Sequence, residues 1–448
     1  MNPKQTGRRR FLKGSAAVVG GLVAGAIQPA SGEEVVKPEI IRANGLRPQG
    51  ELSRYEKLSR TGTATQGFAP LQDLQGIITP TQVHFYVNHE RGVLMNIDPA
   101  QHRVMIYGMV DHPLVLTMAE LKRLPSVSRI HFLECNANTN PTRADKATSI
   151  METHGLTSCA EWTGVKLSLL LKEAGVQKGA NWLLIGSADP SHHASSVPME
   201  KGMDDVLVVY SINGQPLPLE HGYPVRVICP GWGGRFHVKW LDRIKVVNEP
   251  YMTIQDRTSF MEHTPAGEGA FLVSSPLARR YQYESYAKSV ITFPSPGHHL
   301  PERGFYEITG LAWSGSGPVR RVEVSTDGGK TWKDAELQEP ILSKAHTRFR
   351  FPWKWNGEEA VLQSRCTDAQ GDVQPSATEI SKNWGSDKSE ACVSVMGKDC
   401  EKIPRRAHRA YIFSWRVATD GNISNAFKTT PEMLKVEEGD LEMEGHDH

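Results

Sequence analysis

The chain has 448 residues, of which 39% are hydrophobic and 23% are charged, and its formal net charge is +1. This length allows two substantial cores, and the hydrophobic content is ordinary for globular proteins. Positive and negative charges are mixed along the chain, which indicates neither a nucleic-acid-binding surface nor a basic membrane-binding face. We therefore expect a multidomain protein with no nucleic-acid partner and no membrane span in its mature form.

Residues 1–32 have the pattern of an export signal. Residues 7–13 read Gly-Arg-Arg-Arg-Phe-Leu-Lys, and a Gly- and Ala-rich apolar run follows from 16 to 27. This run is well short of the roughly 20 residues that a bilayer span requires. The pair Arg8-Arg9 predicts a twin-arginine signal, which carries folded proteins into the bacterial periplasm; an ordinary secretory signal and a membrane anchor are the alternatives. Folding before export commonly accompanies a complex cofactor, so we expect a cofactor site.

The next two segments differ in pattern. Residues 33–72 are polar and aperiodic, which predicts a linker or a surface arm. From 73 to 250, short apolar runs alternate with runs of helical periodicity, which predicts an α+β or α/β domain. The predicted strands are 104–107 and 182–185, and the predicted helices are 118–124 and 167–174.

After a connecting segment at 251–295, the pattern of residues 296–430 predicts a β-sandwich of roughly immunoglobulin size. Asp327, Gly328 and Gly329 tolerate positive φ and predict a hairpin whose return strand begins at Thr331. No long helix is predicted here, and the acidic tail 431–448 predicts a solvated end. The predicted strands include 306–310, 322–325, 348–350 and 361–363.

The six cysteines are Cys135, Cys159, Cys229, Cys366, Cys392 and Cys400. They form neither a C-x-x-C nor a C-x-x-C-H pattern, which argues against a zinc knuckle, a thioredoxin motif and covalently attached haem. If the protein is a redox enzyme, its electrons must therefore leave to another chain. Cys392 and Cys400 flank a short polar insertion and can pair in an oxidising compartment, with two free thiols as the alternative.

Two motifs carry chemistry. Cys135 follows a predicted strand and begins a polar turn, where an exposed thiol among hydrogen-bond donors suits ligation of a soft metal. A lone cysteine is more often inert packing. Residues 230–240 contain three glycines together with Arg235, His237 and Lys239, a combination that suits an anionic, phosphate-bearing ligand. A basic surface loop is the alternative for this second motif.

Together these motifs resemble those of the sulfite oxidase family of molybdenum enzymes. The resemblance rests on residues 134–138 (Glu-Cys-Asn-Ala-Asn), 160–165, 213–217 and 230–240, in that order. It continues into the second domain at 310–315 and 321–329. Within the family, residues 288–292, 362–365 and 373–375 look most like SoxC, the molybdenum subunit of sulfane dehydrogenases. The implied fold is an α+β molybdopterin domain followed by an immunoglobulin-like domain that mediates dimerisation.

The resemblance implies one molybdenum per chain, held by a pterin dithiolene and one protein thiolate. Cys135 matches that thiolate and is therefore both the metal ligand and a catalytic residue. The positions that match cofactor-binding residues are Asn88, His89, Cys135, His221, Arg226, Arg235, His237, Val238 and Lys239. Arginine can bind phosphate with two parallel hydrogen bonds, and histidine or lysine can add further charge-assisted ones. A satisfied loop pair is the alternative for Asn88 and His89, and a structural cap or ion pair for His221 and Arg226.

The sequence departs from the family pattern where substrate would bind. Val87, Thr139, Asn140 and Pro318 stand at positions that are often basic in sulfite-oxidising relatives. Fewer arginines should weaken binding of a free dianion, since each charge-assisted hydrogen bond contributes about 1.5–3 kcal/mol. His192 or His193 aligns with a tyrosine near the metal and could relay protons; an exposed loop pair is the alternative.

The expected function is that of a periplasmic sulfane dehydrogenase subunit. It would oxidise sulfane sulfur attached to a carrier protein during thiosulfate oxidation and pass electrons to a c-type cytochrome, with no haem in this chain. The alternatives are a sulfite dehydrogenase of the same family, a reductase running in the reverse direction, and a non-catalytic assembly or binding module. The expected assembly is a homodimer, or a heterotetramer with the cytochrome.

Overall fold

The computed structural model describes residues 53, 55–88, 93–139, 144, 146–251, 261–263, 279–281, 283–376, 379 and 410–427. The chain divides into two compact units, Met1–Glu56 and Lys57–His448. The twin-arginine motif, His89, Asn140, Cys392, Cys400 and the acidic tail all lie outside the described residues. Within the described ranges, no helix is long and apolar enough to cross a membrane.

A small antiparallel sheet opens the second unit. Its strands, in spatial order, are β1 (Thr61–Gly62), β2 (Gln66–Phe68) and β3 (Tyr86–Val87). β1 and β2 lie within the segment predicted to be a linker or arm, so the end of that segment has ordered structure. Ala69 and Leu71 follow β2 and are fully buried, which anchors this end of the arm to the core. β3 leads directly to Asn88.

Two further sheets form the body of the first domain. One has the order β11-β10-β7-β6, with β12 also paired to β10, and the other has the order β5-β4-β13-β8-β9. β13 runs parallel to β4, whereas its pairing with β8 is antiparallel. The predicted strands at 104–107 and 182–185 correspond to β4 and β8. The strands are β4 (Arg103–Gly108), β5 (Leu114–Thr117), β6 (Ser126–Glu134), β7 (Thr157–Lys166), β8 (Trp182–Ser187), β9 (Ala194–Pro198), β10 (Leu207–Ile212), β11 (Gln215–Pro216), β12 (Arg226–Ile228) and β13 (Leu241–Val247).

Short helices join these strands. Thr117 and Glu120 form a capping box that begins α1, which satisfies backbone donors at its first turn. α3 coincides with the predicted helix at 167–174. α1 begins where the helix at 118–124 is predicted to begin and ends one residue earlier than predicted. The α-helices are α1 (Met118–Arg123), α2 (Ile150–His154), α3 (Leu167–Ala174) and α4 (Met199–Asp204), and the 3-10 helices are Thr81–Val83, Leu219–His221 and Gly234–Phe236.

The second domain is a β-sandwich. One sheet has the order β16-β17-β21-β20 and the other β19-β18-β22-β23-β24, and a two-stranded sheet, β14-β15, precedes them. β16 begins at Lys288, ahead of the boundary predicted at 296, and β19 begins at Lys333 rather than at Thr331. The strands are β14 (Met261–His263), β15 (Arg279–Tyr281), β16 (Lys288–Phe293), β17 (Gly304–Trp313), β18 (Val319–Ser325), β19 (Lys333–Asp334), β20 (Glu336–Gln338), β21 (Thr347–Trp355), β22 (Ala360–Asp368), β23 (Ser414–Val417) and β24 (Ile423–Asn425).

The hairpin between β18 and β19 forms where it is predicted, with φ values of 73° at Gly328 and 87° at Gly329. These left-handed conformations favour glycine because a Cβ atom would be strained there. No long helix occurs among the described residues of this domain. The predicted fold class, an α+β domain followed by an immunoglobulin-like sandwich, is confirmed.

One hydrophobic core extends through both domains. It includes Phe132 and Trp162 from the β6-β7 region and Trp313, Phe349 and Trp415 from the sandwich, all of them buried. A second core lies between the β4-β13-β8 sheet and α3. Because the first core is shared, the β6-β7 sheet is held on one side by the sandwich.

Candidate cofactor and active site

Cys135 lies at the end of β6, at the edge of the core shared by the two domains. Its backbone N–H donates to Leu156 O at 3.0 Å, and Asn138 N–H donates to Cys135 O at 2.9 Å. The amide of Ala137 lies 3.4 Å from the Cys135 Sγ. The thiol is half-buried, whereas Cys159, Cys229 and Cys366 are buried, so of the four described cysteines Cys135 is the most accessible.

A glycine-rich turn packs against Cys135. A Cβ atom at Gly234 would lie 3.0 Å from Glu134 O and 3.1 Å from Cys135 Cα, and a Cβ atom at Gly233 would lie 2.8 Å from Asn136 Oδ1. The absence of side chains at these two positions therefore permits the close approach. This places the predicted basic turn beside the predicted metal ligand.

Glu134 is buried directly behind Cys135. Its Oε1 lies 2.5 Å from Lys288 Nζ and accepts from Asn138 Nδ2 at 3.0 Å, while its Oε2 accepts from Trp313 Nε1 at 2.9 Å. Glu134 and Lys288 are each 1% exposed. Glu134, which directly precedes Cys135 in the chain, is thus hydrogen-bonded to two residues of the sandwich, Lys288 and Trp313.

His221 and Arg226 lie together in the interior. Arg226 donates from Nη1 to His221 O at 3.1 Å and from Nη2 to His237 O at 2.9 Å, and burial lowers its pKa to about 9. Burial, reinforced by neighbouring His84 and Arg226, lowers the pKa of His221 well below the ordinary value, so the ring is neutral. Among the described residues, His221 Nε2 and Arg226 Nε have no hydrogen-bond partner.

Lys239 connects the basic turn to Asn88. Its Nζ donates to Asn88 Oδ1 at 2.6 Å, to Val87 O at 2.9 Å and to Glu220 O at 3.1 Å. Burial, together with the nearby charge of Arg226, lowers the pKa of Lys239 to about 7. Cys135 interacts electrostatically with this ammonium group and opposes that shift.

The ring of His237 is used by the fold. Cys229 N–H donates to His237 Nδ1 at 3.2 Å, which leaves Nε2–H to donate to Trp232 O at 2.9 Å. Burial lowers the pKa of His237 to about 3, so the ring stays neutral. Val238 is buried in the second core, and its carbonyl accepts from Val227 N–H at 2.8 Å. The cofactor-binding roles assigned to these two residues stay predictions.

His193 and His192 occupy different environments. His193 Nε2 donates to Arg235 O at 3.0 Å, since a carbonyl can only accept. Arg235 is buried, and its guanidinium lies 4.5 Å from the centre of the Phe236 ring. His192 is exposed, with φ of 48°. His193 is therefore the histidine that adjoins the basic turn.

Val87, Thr139 and Pro318, the described residues at positions that are often basic in sulfite-oxidising relatives, make contacts within the fold. Val87 offers its carbonyl to Lys239, and Thr139 is fully buried with φ of 58°. Thr139 Oγ1 lies 3.4 Å from Lys288 Nζ. Pro318 offers its carbonyl to Ala369 N–H at 3.0 Å. Each of these contacts joins two parts of the protein itself.

His84 and Trp240 were missed by sequence reasoning. The ring of His84 is buried 4.8 Å from that of His221, centre to centre, and burial lowers its pKa to about 3. His84 Nε2 and Trp240 Nε1 have no hydrogen-bond partner within the described ranges. His84 lies four residues before Asn88, and Trp240 directly follows Lys239 in the basic motif, so proximity to these motifs is the signal that could have found them.

These features fit a buried anionic cofactor. Four orphaned polar atoms lie on His84, His221, Arg226 and Trp240. His84 precedes Asn88 by four residues and its ring contacts that of His221, and Trp240 directly follows Lys239. Burying polar atoms without partners is costly, so a polar ligand there would remove the penalty. Among the described residues, no cluster of three or more His, Cys, Asp or Glu side chains is arranged to hold a metal ion. Cys135 can then serve as one ligand to a metal that a cofactor carries.

Comparison with known families gives an independent assignment. The Oxidoreductase molybdopterin binding domain model matches residues 91–255, and the Mo-co oxidoreductase dimerisation domain model matches residues 279–385. The mitochondrial sulfite oxidase of Mus musculus is 36% identical over 281 residues, which are 59% of this chain and 50% of that protein. The chain thus spans about half the length of this mammalian relative.

Two other relatives are covered more fully. The sulfite oxidase of Gallus gallus is 31% identical over 320 residues, which are 66% of this chain and 68% of that protein. The sulfane dehydrogenase SoxCD from Paracoccus pantotrophus has a crystal structure that matches with a TM-score of 0.75 and 32% identity, covering 87% of this chain and 96% of that chain. The predicted resemblance to a SoxC-like enzyme is confirmed. On these matches the chain belongs to the sulfite oxidase family of molybdenum oxidoreductases.

Proposed function

We propose that this protein is the molybdenum subunit of a sulfane dehydrogenase, which oxidises sulfane sulfur attached to a carrier protein. The observation that carries the proposal is the half-buried Cys135 thiol, set against the Gly233-Gly234 turn and interacting electrostatically with Lys239, which Arg226 also influences. The match to SoxCD supports sulfane sulfur as the substrate class. When bound, the molybdenum-molybdopterin cofactor would supply two-electron oxidation of sulfur with oxygen from water.

The residues of the site would hold the cofactor in two ways. Cys135 would ligate the metal through its thiolate. Arg226 and Lys239 would face the phosphate, and the charge of the phosphate would stabilise their protonated forms. The neutral rings of His84 and His221 would hydrogen-bond to uncharged heteroatoms, because burial disfavours their protonation.

His193 would hold protons near the site. Its ring orientation is fixed by the bond from Nε2 to Arg235 O, which leaves Nδ1 as the acceptor when the ring is neutral. Each water that supplies an oxygen atom to the sulfur loses two protons, and two electrons leave with each oxygen transferred. An imidazole can accept one of the protons and pass it to solvent, which His192 on the same loop already contacts.

The substrate assignment rests on charge at three positions. Val87, Thr139 and Pro318 provide no cation where sulfite-oxidising relatives are often basic. A free dianion would then lose about 1.5–3 kcal/mol for each missing charge-assisted hydrogen bond. A sulfane delivered on a carrier protein is positioned by protein contacts instead, so its binding depends less on its own charge.

The cellular setting forms part of the proposal. The Arg8-Arg9 motif supports twin-arginine export and a periplasmic location. A c-type cytochrome would accept the electrons one at a time, and the dimerisation domain would provide the contact for a homodimer or a heterotetramer with the cytochrome. The stoichiometry of one molybdenum per chain belongs to the same proposal.

The test begins with metal and pterin analysis of protein exported by its native route. We expect one molybdenum and one pterin per chain, and a lost or altered metal centre in Cys135→Ser. Cys366→Ser, a change at a buried thiol of the sandwich, is the matched control and should retain the metal. Well-folded wild-type protein with neither molybdenum nor pterin would refute the enzyme assignment and favour an assembly module.

Turnover then separates the candidate substrates. The loaded protein with a c-type cytochrome is given free sulfite in one assay and a carrier protein bearing a cysteine-bound sulfane in another. We expect faster turnover of the carrier-bound sulfane. Efficient oxidation of free sulfite alone would make the protein a sulfite dehydrogenase.

A further inference from the structure

We propose that Glu134 and Lys288 are positioning residues for Cys135, a buried ion pair by which the sandwich fixes the turn that carries the metal ligand. The inference rests on the proposed function only in treating Cys135 as that ligand. It assigns the second domain a role inside the site, in addition to any role in dimerisation. The geometry of the turn carries the argument.

Both carboxylate oxygens of Glu134 have hydrogen-bond partners in the sandwich. Lys288 Nζ lies 2.5 Å from its Oε1, and Trp313 Nε1 donates to its Oε2 at 2.9 Å. Lys288 begins β16 and Trp313 ends β17, and the two strands pair with Lys288 opposite Trp313. One position on the sandwich thus binds both oxygens of the residue that precedes Cys135.

The same carboxylate also reaches the far side of the turn. Asn138 Nδ2 donates to Glu134 Oε1 at 3.0 Å, and Asn138 Oδ1 accepts from Leu156 N–H at 3.1 Å. Lys288 Nζ lies 3.4 Å from the Oγ1 of Thr139, the residue with the left-handed conformation. Both ends of the turn from Cys135 to Asn138 are therefore tied to one ion pair.

The choice of a charged pair at this place has an electrostatic consequence. A fully buried ion pair often gives no more stability than apolar side chains of the same volume, so stability alone does not account for it. A lone carboxylate next to Cys135 would disfavour the thiolate by repulsion. Lys288 cancels that charge while keeping the hydrogen bonds that hold the turn.

The sandwich side of the chain also contacts the glycine-rich turn that packs against Cys135. Ser285 N–H donates to Gly231 O at 2.9 Å, and Gly233 N–H donates to Tyr283 O at 2.9 Å. The Tyr283 ring stacks on Trp232 with 4.2 Å between centres. The segment leading into β16 thus holds the glycine turn, while Lys288 at its end holds Glu134.

Hydrogen exchange of the cofactor-free full-length chain tests the proposal without any dependence on molybdenum. The amides of Cys135, Asn138 and Thr139 donate to Leu156 O, Cys135 O and Thr153 O, so wild-type exchange at these positions should be slow. In Lys288→Met and in Glu134→Gln we expect exchange of the peptide containing residues 135–139 to accelerate by about tenfold or more, as local opening becomes easier.

Two further variants separate positioning from general destabilisation. In the double variant Glu134→Gln/Lys288→Met no unpaired charge remains, but the single amide oxygen cannot replace both the oxygen bound to Trp313 Nε1 and the one bound to Asn138 Nδ2, so exchange at 135–139 should stay faster than in the wild type. A return to the wild-type rate would show that the single variants act only through an unpaired charge, and would overturn the proposal. Arg365→Met removes one of the two arginine partners of Glu323, a buried carboxylate of the sandwich that also pairs with Arg321, and is the control. It should not accelerate exchange at 135–139 more than elsewhere.

The outcome that overturns the proposal is unchanged exchange at 135–139 in both folded single variants. An equal acceleration across all peptides, matching that of Arg365→Met, would also overturn it. In the loaded protein, Lys288→Met should alter the Mo(V) electron paramagnetic resonance signal, and an identical signal would count against positioning. Absence of molybdenum from the wild type would refute the proposed function but leave the exchange result valid.

Discussion

The ammonium of Lys239 lies 2.6 Å from Asn88 Oδ1 and so joins the basic turn after β12 to the end of β3. The same ammonium also donates to the carbonyl oxygens of Val87 and Glu220. This lysine therefore connects three segments of the first domain. A cofactor bound at Asn88 and at the basic turn would contact a surface that Lys239 holds together.

The low pKa of Lys239 predicts a pH dependence. Burial and Arg226 lower it to about 7, whereas the unfolded chain keeps an ordinary lysine and so holds the extra proton above that pH. The free energy of unfolding of the cofactor-free chain should therefore rise from about pH 7 to about pH 9, with a contribution of at most about 1.4 kcal/mol per pH unit. Urea titrations at several pH values measure it.

Lys239→Met should remove this contribution, while Lys245→Met, at an exposed lysine bonded to Tyr251 Oη, should retain it. Loading of the cofactor should also reduce the slope, because a nearby phosphate stabilises the protonated lysine. An unchanged slope in Lys239→Met would show that another group titrates.

Arg226→Lys should weaken retention of the cofactor. The two Nη atoms of Arg226 donate to the carbonyls of His221 and His237, which leaves Nε–H, without a partner among the described residues, to donate to the cofactor; a lysine would lose that bond. Loss of one charge-assisted hydrogen bond of about 1.5–3 kcal/mol corresponds to at least about tenfold weaker binding. Molybdenum and pterin content after dialysis measures it. Arg243→Lys, in a partly exposed ion pair with Asp242, is the control and should leave the content unchanged.

His193→Gln should lower turnover and change its pH dependence, because the variant lacks an imidazole beside Arg235. His192→Gln changes the exposed neighbour and should have little effect. The measurement is turnover of the loaded enzyme across the range from about pH 5 to about pH 8, where histidine titrates. If only His192→Gln altered the profile, the relay would belong to the exposed residue instead.

Buried neutral histidines predict loss of stability in acid. Burial lowers the pKa values of His84, His237 and His346 to about 3, so the unfolded chain gains protons that the folded chain does not. The free energy of unfolding should fall as pH decreases from about 6.5 towards 3, by up to about 1.4 kcal/mol per pH unit for each histidine.

His346→Gln tests one of these contributions. His346 Nε2 lies 3.1 Å from Thr157 Oγ1, a contact that glutamine can replace without titrating. The slope of stability against pH should decrease by the share of one histidine, as urea titrations at about pH 7 and about pH 5 would show. His192→Gln is the exposed control, and an equal decrease in that variant would contradict the assignment.

Local patterns in the sequence predicted the parts of the fold that depend on near neighbours. The periodicity of residues 167–174 matches α3, and the glycines at 328 and 329 turn where they are predicted. The motif around Cys135 identified the thiol, and the motif from 230 to 240 identified the basic turn. In each case the residues that determine the structure lie within a few positions of one another.

Long-range partners could not be predicted in the same way. Glu134 and Lys288 are 154 positions apart, and neither residue type reveals that it is buried against the other. For His237, the residue type did not reveal that both ring nitrogens are hydrogen-bonded within the fold, and its cofactor-binding role stays a prediction. His84 Nε2 lacks a partner among the described residues in a site formed with His221, and the contact between these two rings joins residues that are distant in the sequence.

The distance along the chain between Glu134 and Trp313 has a consequence for biosynthesis. Trp313 is 179 positions further on, so a ribosome must pass it before the support behind the thiol can exist. Cofactor loading would then have to follow synthesis of both domains rather than accompany synthesis of the first. With export in the folded state, as proposed, the cell has one interval for loading, between release from the ribosome and passage through the membrane.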